Sequence, residues 1–363
     1  MEKKIKVLHI LPNLSRGGAE KVCFDIISNL DTKRFNSALL LFKDAGEGLD
    51  WQKELTKKGI TIYRLKKKRK LDFSNFFRII KIIKSYKPDI VHTHLGGDIY
   101  GRLAAALAGV RVIVSTEHNI NHSERKIVSL LKKMTAPLAL KIFAVSQAVK
   151  EDVKRRYKIK AEKIDVIYNG VDFDKFSTCS RERKKDETLI IGAMGRLSRQ
   201  KGLSVLIAAI SLVKYKNFQV FIAGQGELEI DLKKQVQRLG LSDKIKFLGK
   251  VEAPAFFKKI DIFVFPSLWE GLGLAVLEAA AAGKPIIASD IDGIKEILSF
   301  ESSWLTLPGD EQDLALQLDN LLSNIDSFQL KEKTLKAQEL VRNRFSLDKM
   351  VFNYSVWYEK LVS

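Results

Sequence analysis

The feature that most constrains this fold is an alternation of short apolar runs and longer amphipathic stretches. In the first half, seven runs are typical of strands: IKVLHIL, SALLLF, ITIYRL, DIVHTH, VIVSTEH, KIFAVS and IDVIYN. Helical periodicity appears between several of them, in AEKVCFDIISNL, SNFFRIIKIIKSY, GRLAAALAG and SQAVKEDVKRRY. Strands with little polar alternation suit burial on both faces, so the pattern predicts a parallel sheet flanked by helices.

The same alternation begins again in the second half. Strand-like runs are TLIIGAMGRL, QVFIAGQGE, KIKFLGKV, DIFVFPS and KPIIASD, and helical stretches are LSVLIAAISLVKY, EIDLKKQVQRLG and GLAVLEAAAAG. A polar, basic stretch between the halves, VDFDKFSTCSRERKKDETL, suits a linker. The chain has 363 residues, too many for one ordinary core. We therefore predict domains at 1–175 and 186–346, with a last helix at about 347–363 that can pack back on the first.

Positive charge is concentrated in the first half. The chain has a net charge of +19, and residues 1–185 hold 40 Lys and Arg against 20 Asp and Glu. Such asymmetry suggests an anionic partner, for which membrane lipid, nucleic acid and a phosphorylated substrate all qualify, although ordinary solubility also explains it. Two basic amphipathic segments, one with the run Lys66–Lys70 and one with Lys126, Lys132 and Lys133, suit docking on an anionic membrane, or simply packing on the sheet.

Compartment signals are few. Cys23 and Cys179 have no metal-ligand spacing and read as free thiols of a reducing compartment. No secretory signal opens the chain, and no apolar run reaches the roughly 18 residues that a bilayer span needs. We expect a cytoplasmic protein, peripheral on the inner face of the cytoplasmic membrane if the basic segments dock there.

Two glutamates stand eight positions apart in SLWEGLGLAVLEAAAAGKPIIASD. The helix around Glu278 is apolar nearly all round, which predicts that its carboxylate is buried and needs hydrogen-bond partners. The two hydroxyls of a ribose would serve, and so would a neighbouring backbone group or a water. Gly271 and Gly273 would let a ligand approach the start of this helix, whose N–H groups suit a diphosphate.

The segment EGLGLAVLE, with Glu270 and Glu278, resembles the E-x7-E motif of family 4 retaining glycosyltransferases of the GT-B fold. Further resemblances follow in family order along the whole chain: LPNLSRGGAEK, HTHL, STEHN, FAVSQAVKEDV, VIYNGVDFDKF, GRLSRQKGLSVLIAAI and IAGQGEL. The likeness implies an α/β protein with two Rossmann-like doubly wound domains facing across a cleft. The first would bind the acceptor and the second the nucleotide sugar.

The resemblance also implies roles for particular residues. Arg196 and Lys201 would bind the donor's phosphates, Glu278 the ribose, and Glu270 and His118 the transferred sugar, with a general-base role for His118 possible but not required. The remaining donor-binding positions are Gly17, Gly18, Gly271, Leu272 and Gly273. Because two fixed cations can neutralise the diphosphate, we expect no metal and no cofactor beyond the co-substrate, a UDP- or GDP-linked sugar. Attack on the front face, assisted by the leaving phosphate, suits retention.

His92 and His94 could be taken for metal ligands, but we expect this pair to point to opposite faces of its strand and to be structural. Where the family often has two glycines after the strand corresponding to KPIIASD, this chain has Asp292 and Gly293, which leaves the local loop geometry open.

The sequence therefore predicts transfer of a sugar to a hydroxyl of a membrane-associated glycan or glycolipid, as in lipopolysaccharide, lipid-linked oligosaccharide or polysaccharide assembly. One alternative is a soluble GT-B transferase that acts on a small acceptor. A remote one is a non-catalytic nucleic-acid-binding module, but no recognition motif supports it, and no nucleic-acid partner is expected. The identity of the sugar, the base, the acceptor and the linkage stays open.

Overall fold

A computed structural model describes residues 3–15, 17–43, 48–65, 73–120, 124–179 and 187–363. The chain forms two compact units: the first comprises Met1–Gly170 and Leu347–Ser363, and the second Val171–Ser346. The first unit ends earlier than the predicted residue 175 because the backbone N–H of Val171 bonds the carbonyl of Phe345, 2.9 Å away, in the second unit. The basic run Lys66–Lys70 and most of the predicted linker lie outside the described residues.

The first unit is built on a sheet of seven parallel strands in the order β3-β2-β1-β4-β5-β6-β7. Its strands are β1 Ile5–Leu11, β2 Phe35–Leu41, β3 Thr61–Arg64, β4 Ile90–His94, β5 Val112–Glu117, β6 Lys141–Ala144 and β7 Ile164–Val166. Its helices are α1 Gly18–Asn29, α2 Leu49–Lys57, α3 Phe73–Tyr86, α4 Gly97–Leu107, α5 Lys126–Thr135 and α6 Gln147–Tyr157. This is the parallel sheet that the apolar runs predicted, in the doubly wound arrangement that the resemblance implied.

The second unit repeats the plan with six parallel strands in the order β10-β9-β8-β11-β12-β13. Its strands are β8 Leu189–Met194, β9 Phe218–Ala223, β10 Ile245–Gly249, β11 Ile262–Phe265, β12 Ile286–Ser289 and β13 Trp304–Thr306. Its helices are α7 Leu203–Leu212, α8 Glu229–Arg238, α9 Ala253–Phe257, α10 Leu274–Ala281, α11 Asp292–Lys295, α12 Glu311–Ser323 and α13 Phe328–Arg344. The final helix, α14 Leu347–Val362, belongs to the first unit.

Most strands form as predicted because their side chains are buried on both faces of the sheet. Every residue of β4, β5, β11 and β12 is buried, and β1 is buried from Val7 to Leu11. The sequence interpretation missed β13, α2, α9, α11, α12 and α13. The short ones carry too few residues for a periodic signal, and α13 has a mostly polar surface with few buried positions. Among the residues described, no helix is both long and apolar enough to span a bilayer.

Helix α14 completes the core of the first unit. Tyr354 and Tyr358 are fully buried, and Met350 and Val351 join the same cluster as Val7 and Ile90. The hydroxyl of Tyr358 lies 2.6 Å from Nδ1 of His92, and that of Tyr354 lies 3.1 Å from Oγ1 of Thr116. The last helix therefore supplies both apolar packing and hydrogen bonds that the first unit lacks on its own.

We expect a chain that ends at residue 346 to lose the stability of the first unit while the second stays folded. Removal of one large buried aromatic side chain costs about 3–5 kcal/mol, which is a large part of the stability of a domain. Hydrogen exchange followed by mass spectrometry would show β1 and β4 unprotected and β8 and β11 still protected. As a control, Phe352→Ala on the exposed face of α14 should leave both units protected, and protection of β1 in the truncated chain would contradict the prediction.

Candidate functional site

The second unit has its topological switch point between β8 and β11, where the chain connections run in opposite directions. In open sheets of this kind, ligands bind at the carboxyl ends of the strands at that point. The loop after β8 carries Arg196 and Lys201, and the loop after β11 carries Glu270. The fold therefore brings to one edge of the sheet three of the four charged residues predicted for this unit, and the fourth, Glu278, lies in α10.

The two loops are held against each other by their backbones. Gly202 has φ +60°, and a Cβ there would overlap the carbonyl oxygen of Pro266, so only glycine fits. The backbone N–H of Leu268 donates to the carbonyl of Gln200 at 2.8 Å, and the side-chain amide of Gln200 donates to the carbonyl of Trp269 at 3.0 Å. These contacts fix the position of Arg196 and Lys201, on the first loop, relative to Glu270 on the second.

Lys201 and Glu270 form an ion pair, with Nζ 2.5 Å from Oε1. The ammonium group also lies 4.8 Å from the ring centroid of Phe265, and Glu270 is 7% exposed. The pairing satisfies a buried carboxylate that would otherwise be costly. Arg196 is exposed, and its guanidinium makes no hydrogen bond or ion pair with the part of the chain that the structure describes. Of the two predicted phosphate ligands, Lys201 is thus already paired with a carboxylate and Arg196 is open to a ligand.

The departure from two glycines at Asp292 and Gly293 leaves the close contact intact. A Cβ on Gly293 would lie 2.6 Å from the carbonyl oxygen of Glu270 and 2.7 Å from that of Gly271. Glycine is therefore required at the second position, where α11 meets the glutamate loop. Asp292 opens α11, where a carboxylate is favourable at a helix N-terminus.

The start of α10 is less open to a ligand than predicted. Gly271, Leu272 and Gly273 are all buried, and Gly273 has φ +65° with Ile294 against the position of a Cβ. The prediction that Glu278 is buried was wrong. Its side chain is half-buried and has an interaction within the protein, because it points away from the face on which Val276, Leu277 and Ala279–Ala281 pack. Burial cost therefore gives no argument for a ligand at Glu278, and its proposed role rests on the resemblance.

In the first unit, the loop after β1 leads to Gly17 and Gly18 at the start of α1. Glu20, in the first turn of α1, accepts a hydrogen bond from Oγ of Ser15 at 2.8 Å, and its carboxylate fills the space where a Cβ of Gly17 would be. A carboxylate stabilises this helix terminus but repels phosphate. The sequence allowed either phosphate or sugar here, and the geometry favours sugar hydroxyls.

The expectation that His92 and His94 point to opposite faces was wrong. Side chains alternate along a strand, so residues two apart share a face. The ring centroids of His92 and His94 lie 4.0 Å apart, and His9 stands beside His92 on the neighbouring strand β1. All three are fully buried. No local sequence pattern predicted this cluster, because His9 lies 83 positions before His92 and only the register of β1 against β4 brings them together.

The cluster is a network of hydrogen bonds between imidazole and hydroxyl groups. Nδ1 of His9 lies 3.3 Å from Nε2 of His94, whose Nδ1 lies 3.3 Å from Nε2 of His118. His92 contacts the hydroxyl of Tyr358 at 2.6 Å and that of Thr116 at 2.7 Å. The ligand atoms of His9, His92 and His94 lie within 4.8 Å of one another, close enough for a metal. Both ring nitrogens of His92 already have hydroxyl partners, however, so hydrogen bonds account for its place.

Burial keeps these rings neutral. It lowers the pKa of His9 to about 3 and that of His118 to about 4, and it holds the pKa values of His92 and His94 well below the ordinary value. Nε2 of His118 faces His94, and Nδ1 is enclosed. The half-buried His118 thus presents its ring carbons and backbone outward. In this conformation the ring nitrogens are not placed to take a proton from a substrate.

A buried charge cluster that the sequence interpretation missed adjoins His118. Glu117 accepts a hydrogen bond from the hydroxyl of Tyr157 at 2.9 Å and lies 3.7 Å from both Arg102 and Lys132. Arg102 is fully buried and donates to Oγ of Ser115 at 2.7 Å. An arginine inside the small-residue helix GRLAAALAG was the available signal. The cluster fixes the end of β5, and with it the backbone at His118.

We expect the first unit to lose stability as the pH falls from about 7 to 5.5. The unfolded chain takes up protons at His9, His92, His94 and His118 near their ordinary pKa of about 6.5, whereas the folded chain does not, which costs about 5 kcal/mol in total. Burial raises the pKa of Asp98 to about 7, so this group gains a proton in the folded state and returns about 2 kcal/mol. The net loss is about 3 kcal/mol.

Hydrogen exchange at the two pH values, corrected for the intrinsic rate, would test this expectation. Amides of β1 and β4 should exchange roughly a hundredfold faster at the lower pH relative to those of β11, which serves as the control inside the same chain. An equal pH response in both units would contradict it.

Two family descriptions match the chain in succession: Glycosyltransferase Family 4 over residues 16–175 and Glycosyl transferases group 1 over residues 175–337. The UDP-Gal:alpha-D-GlcNAc-diphosphoundecaprenol alpha-1,3-galactosyltransferase of Escherichia coli is 30% identical, over 93% of this chain and 94% of its own. The capsular polysaccharide biosynthesis glycosyltransferase CapH of Staphylococcus aureus is 29% identical, over 81% and 83%.

Among solved structures, HepE of Anabaena in complex with UDP and glucose superposes with a TM-score of 0.86 at 21% identity, covering 98% of this chain and all of that one. Such a likeness supports the fold that the two parallel sheets already show. Together with the relative from Escherichia coli, these matches confirm the family that the motif order indicated. The chain belongs to family 4 of the glycosyltransferases and has the GT-B fold.

Proposed function

We propose that the protein transfers a sugar, with retention of configuration, from a UDP-linked donor to a hydroxyl of a lipid-linked glycan. The observation that carries the donor half is the placement of Arg196, Lys201 and Glu270 at the switch point of the second unit. UDP is favoured over GDP because HepE binds it and because the relative from Escherichia coli takes UDP-galactose. A lipid diphosphate carries the acceptor of that same relative, which supports the acceptor half.

The chemistry follows from the charges in the second unit. A diphosphate carries more negative charge than one carboxylate, so it competes for the ammonium group of Lys201 and draws it partly from Glu270. Arg196 supplies the second cation, and a guanidinium suits phosphate oxygens in a two-point contact. Glu270 then has acceptor oxygens available for hydroxyls of the transferred sugar. The ion pair therefore separates when the donor binds, so that Lys201 contacts the diphosphate and Glu270 contacts the sugar.

In the transfer step, the bond between the anomeric carbon and the phosphate oxygen breaks while the acceptor oxygen bonds to that carbon from the same face. The proton of the acceptor hydroxyl goes to the departing phosphate oxygen. Arg196 and Lys201 stabilise the negative charge that develops on the diphosphate. The proposal assigns that work to side chains and includes no metal ion, so addition of EDTA should leave the rate unchanged.

We expect Lys201→Ala to lower kcat by roughly a hundred- to a thousandfold, because it removes one cation that stabilises the leaving group. Arg199→Ala is the matched control: Arg199 is exposed in the same loop, and its loss should change kcat less than about threefold. Release of radioactive or fluorescent product from a UDP-sugar measures both. Equal rates for the two variants would refute the role of Lys201, provided that their melting temperatures agree.

Glu270→Gln separates the two halves of the ion pair. Without the carboxylate, Lys201 is free for the diphosphate, so UDP should bind about fivefold more tightly while kcat falls. Calorimetric titration with UDP gives the affinity. Weaker UDP binding in this variant would show that Glu270 does not compete with the phosphate.

The donor base is tested by thermal shift with UDP-, GDP- and ADP-sugars. We expect UDP-sugars to raise the melting temperature most, since ligand binding to the folded state stabilises it by mass action. Glu278→Ala should reduce the shift produced by uridine diphosphate yet leave the shift by inorganic diphosphate unchanged, because only the former has ribose hydroxyls. A larger response to GDP-sugars would overturn the choice of base.

The first unit is proposed to work at the inner face of the cytoplasmic membrane, where a lipid-linked acceptor is found. Its excess of basic residues supports this arrangement, because anionic lipid attracts exposed Lys and Arg. The rival, a transferase for a small dissolved acceptor, predicts equal activity with and without membranes. Transfer to a lipid diphosphate sugar and to a sugar phosphate, compared at equal concentration, separates the two.

A further inference from the structure

The first unit exposes a group of large apolar side chains on neighbouring elements, here called the α4–α5 face. It consists of Tyr100, Leu103, Leu107, Ile127, Leu130, Leu131, Met134, Leu138 and Leu140. The first three belong to α4, the next four to α5, and the last two lie in or just after the short 3-10 turn Ala136–Leu138. Met134, Leu107 and Ile127 are 67%, 65% and 59% exposed.

The elements that carry these exposed side chains pack on one another. Helix α4 contacts α5, and both contact the 3-10 turn. Positions 100, 103 and 107 follow helical spacing on α4, as positions 127, 130, 131 and 134 do on α5. The opposite sides of the helices are the buried ones, with Ala104 and Ala105 on α4 and Lys132 and Thr135 on α5. Helix α4 therefore has apolar side chains on both sides, whereas the buried residues of α5 are polar and its large apolar side chains are exposed. Burial in the fold does not explain the exposed apolar set.

Exposed apolar residues of the second unit are arranged differently. Ile230, Leu316, Phe328 and Leu335 are all exposed but lie on three separate helices, α8, α12 and α13. Single exposed apolar residues are normal on any protein, whereas a large continuous group marks an interaction surface. The α4–α5 face is of the second kind.

The exposed charges on the segment that forms the face have one sign. Between residues 97 and 141, the exposed charged side chains in the described ranges are Arg111, Arg125 and Lys126. The acidic groups of this stretch are withdrawn: Asp98 and Glu117 are buried, and the half-buried Glu124 pairs with Lys132 at 2.8 Å. A partner that meets the face therefore meets an apolar surface whose own segment adds positive charge, while the exposed carboxylates Glu151 and Glu162 lie on other elements.

We propose that the α4–α5 face inserts into the interfacial region of an anionic phospholipid bilayer and docks the first unit there. An amphipathic surface with an apolar centre and a basic border is the combination that lipid interfaces bind. A second copy of the chain is a poorer occupant, because a twofold interface would bring Arg125 and Lys126 of one copy near those of the other. This inference rests on the proposed lipid-linked acceptor, since docking would bring that substrate to the enzyme.

Insertion differs physically from attraction by the basic residues alone. Contacts between exposed charges and lipid headgroups are screened by salt, whereas burial of apolar side chains is not. The proposal therefore requires two components of vesicle binding. The larger one depends on the apolar side chains and persists at high salt, and the smaller one depends on the basic border and vanishes there.

The test compares variants of the full chain in co-sedimentation with vesicles of equal parts phosphatidylethanolamine and phosphatidylglycerol. The variant with Leu107, Ile127, Leu130 and Met134 changed to Gln should bind at least about a hundredfold more weakly at low and at high salt. The matched control carries four similar changes in the second unit, at Ile230, Leu316, Phe328 and Leu335, and should bind like the parent. Since all eight positions are exposed, both variants should fold, which circular dichroism and melting temperature would verify.

A second pair of variants tests the border. Arg125→Gln and Lys126→Gln should each weaken binding about fivefold at low salt, with no effect at about 0.5 M salt. Unchanged vesicle binding in the four-residue α4–α5 variant would overturn the proposal. So would a dimer in sedimentation velocity that dissociates in that variant, because the face would then belong to a second copy.

Catalysis is measured separately, so the two proposals can fail independently. The α4–α5 variant should keep the UDP-induced thermal shift and the rate of donor hydrolysis in water, and it should lose transfer to an acceptor embedded in vesicles. If vesicle binding depends on the face but the parent enzyme does not use a lipid-linked acceptor, docking stands and the proposed acceptor falls. If transfer to embedded acceptor is equally fast in the variant, the docking proposal falls.

Discussion

Burial of parallel strands on both faces is the constraint on which the rest of this structure depends. In a sheet whose faces are covered, polar side chains have room mainly where strands end, and in parallel strands the carboxyl ends all lie on one edge. The pairing of β8 with β11 therefore decides that the loop of Lys201 meets the loop of Glu270. The backbone at Gly202 and at Gly293 then packs directly on the neighbouring loop, because neither position has room for a Cβ. This close packing sets the separation of the loops.

The first unit uses the same edge in a different way. Polar groups gather inside it, and they remain tolerable because nearly every one finds a partner. His92 is held by hydroxyls from β5 and α14, and Glu117 is held by Tyr157 and by two cations. The neutral imidazoles and the paired charges stiffen the end of β5, where His118 lies. Helix α14, from the far end of the chain, is part of this arrangement and not an appendage.

The two units divide the electrostatic work. In the second, we propose that Arg196 and Lys201 meet the negative charge of a donor, although Lys201 already has a carboxylate partner. In the first, the glycine loop carries its own carboxylate, Glu20, and so suits hydroxyl groups better than phosphate. This contrast explains why the cations proposed to bind the diphosphate all come from one half of the chain, although most positive charge lies in the other. The exposed part of the positive charge on the first unit is better suited to contact a membrane surface than to bind a substrate.

By itself, the sequence determined the two parallel sheets, the order of most strands and helices, and the family. The spacing of apolar residues and the order of motifs can be read along the chain without knowledge of tertiary contacts. The sequence also located Arg196, Lys201 and Glu270 in loops after strands. Only tertiary structure decided the pairing of Lys201 with Glu270, the cluster of His9 with His92 and His94, the burial of Arg102 and the partial exposure of Glu278. Each depends on strand register or on which side of a helix meets the sheet, and a shift of one residue would reverse it.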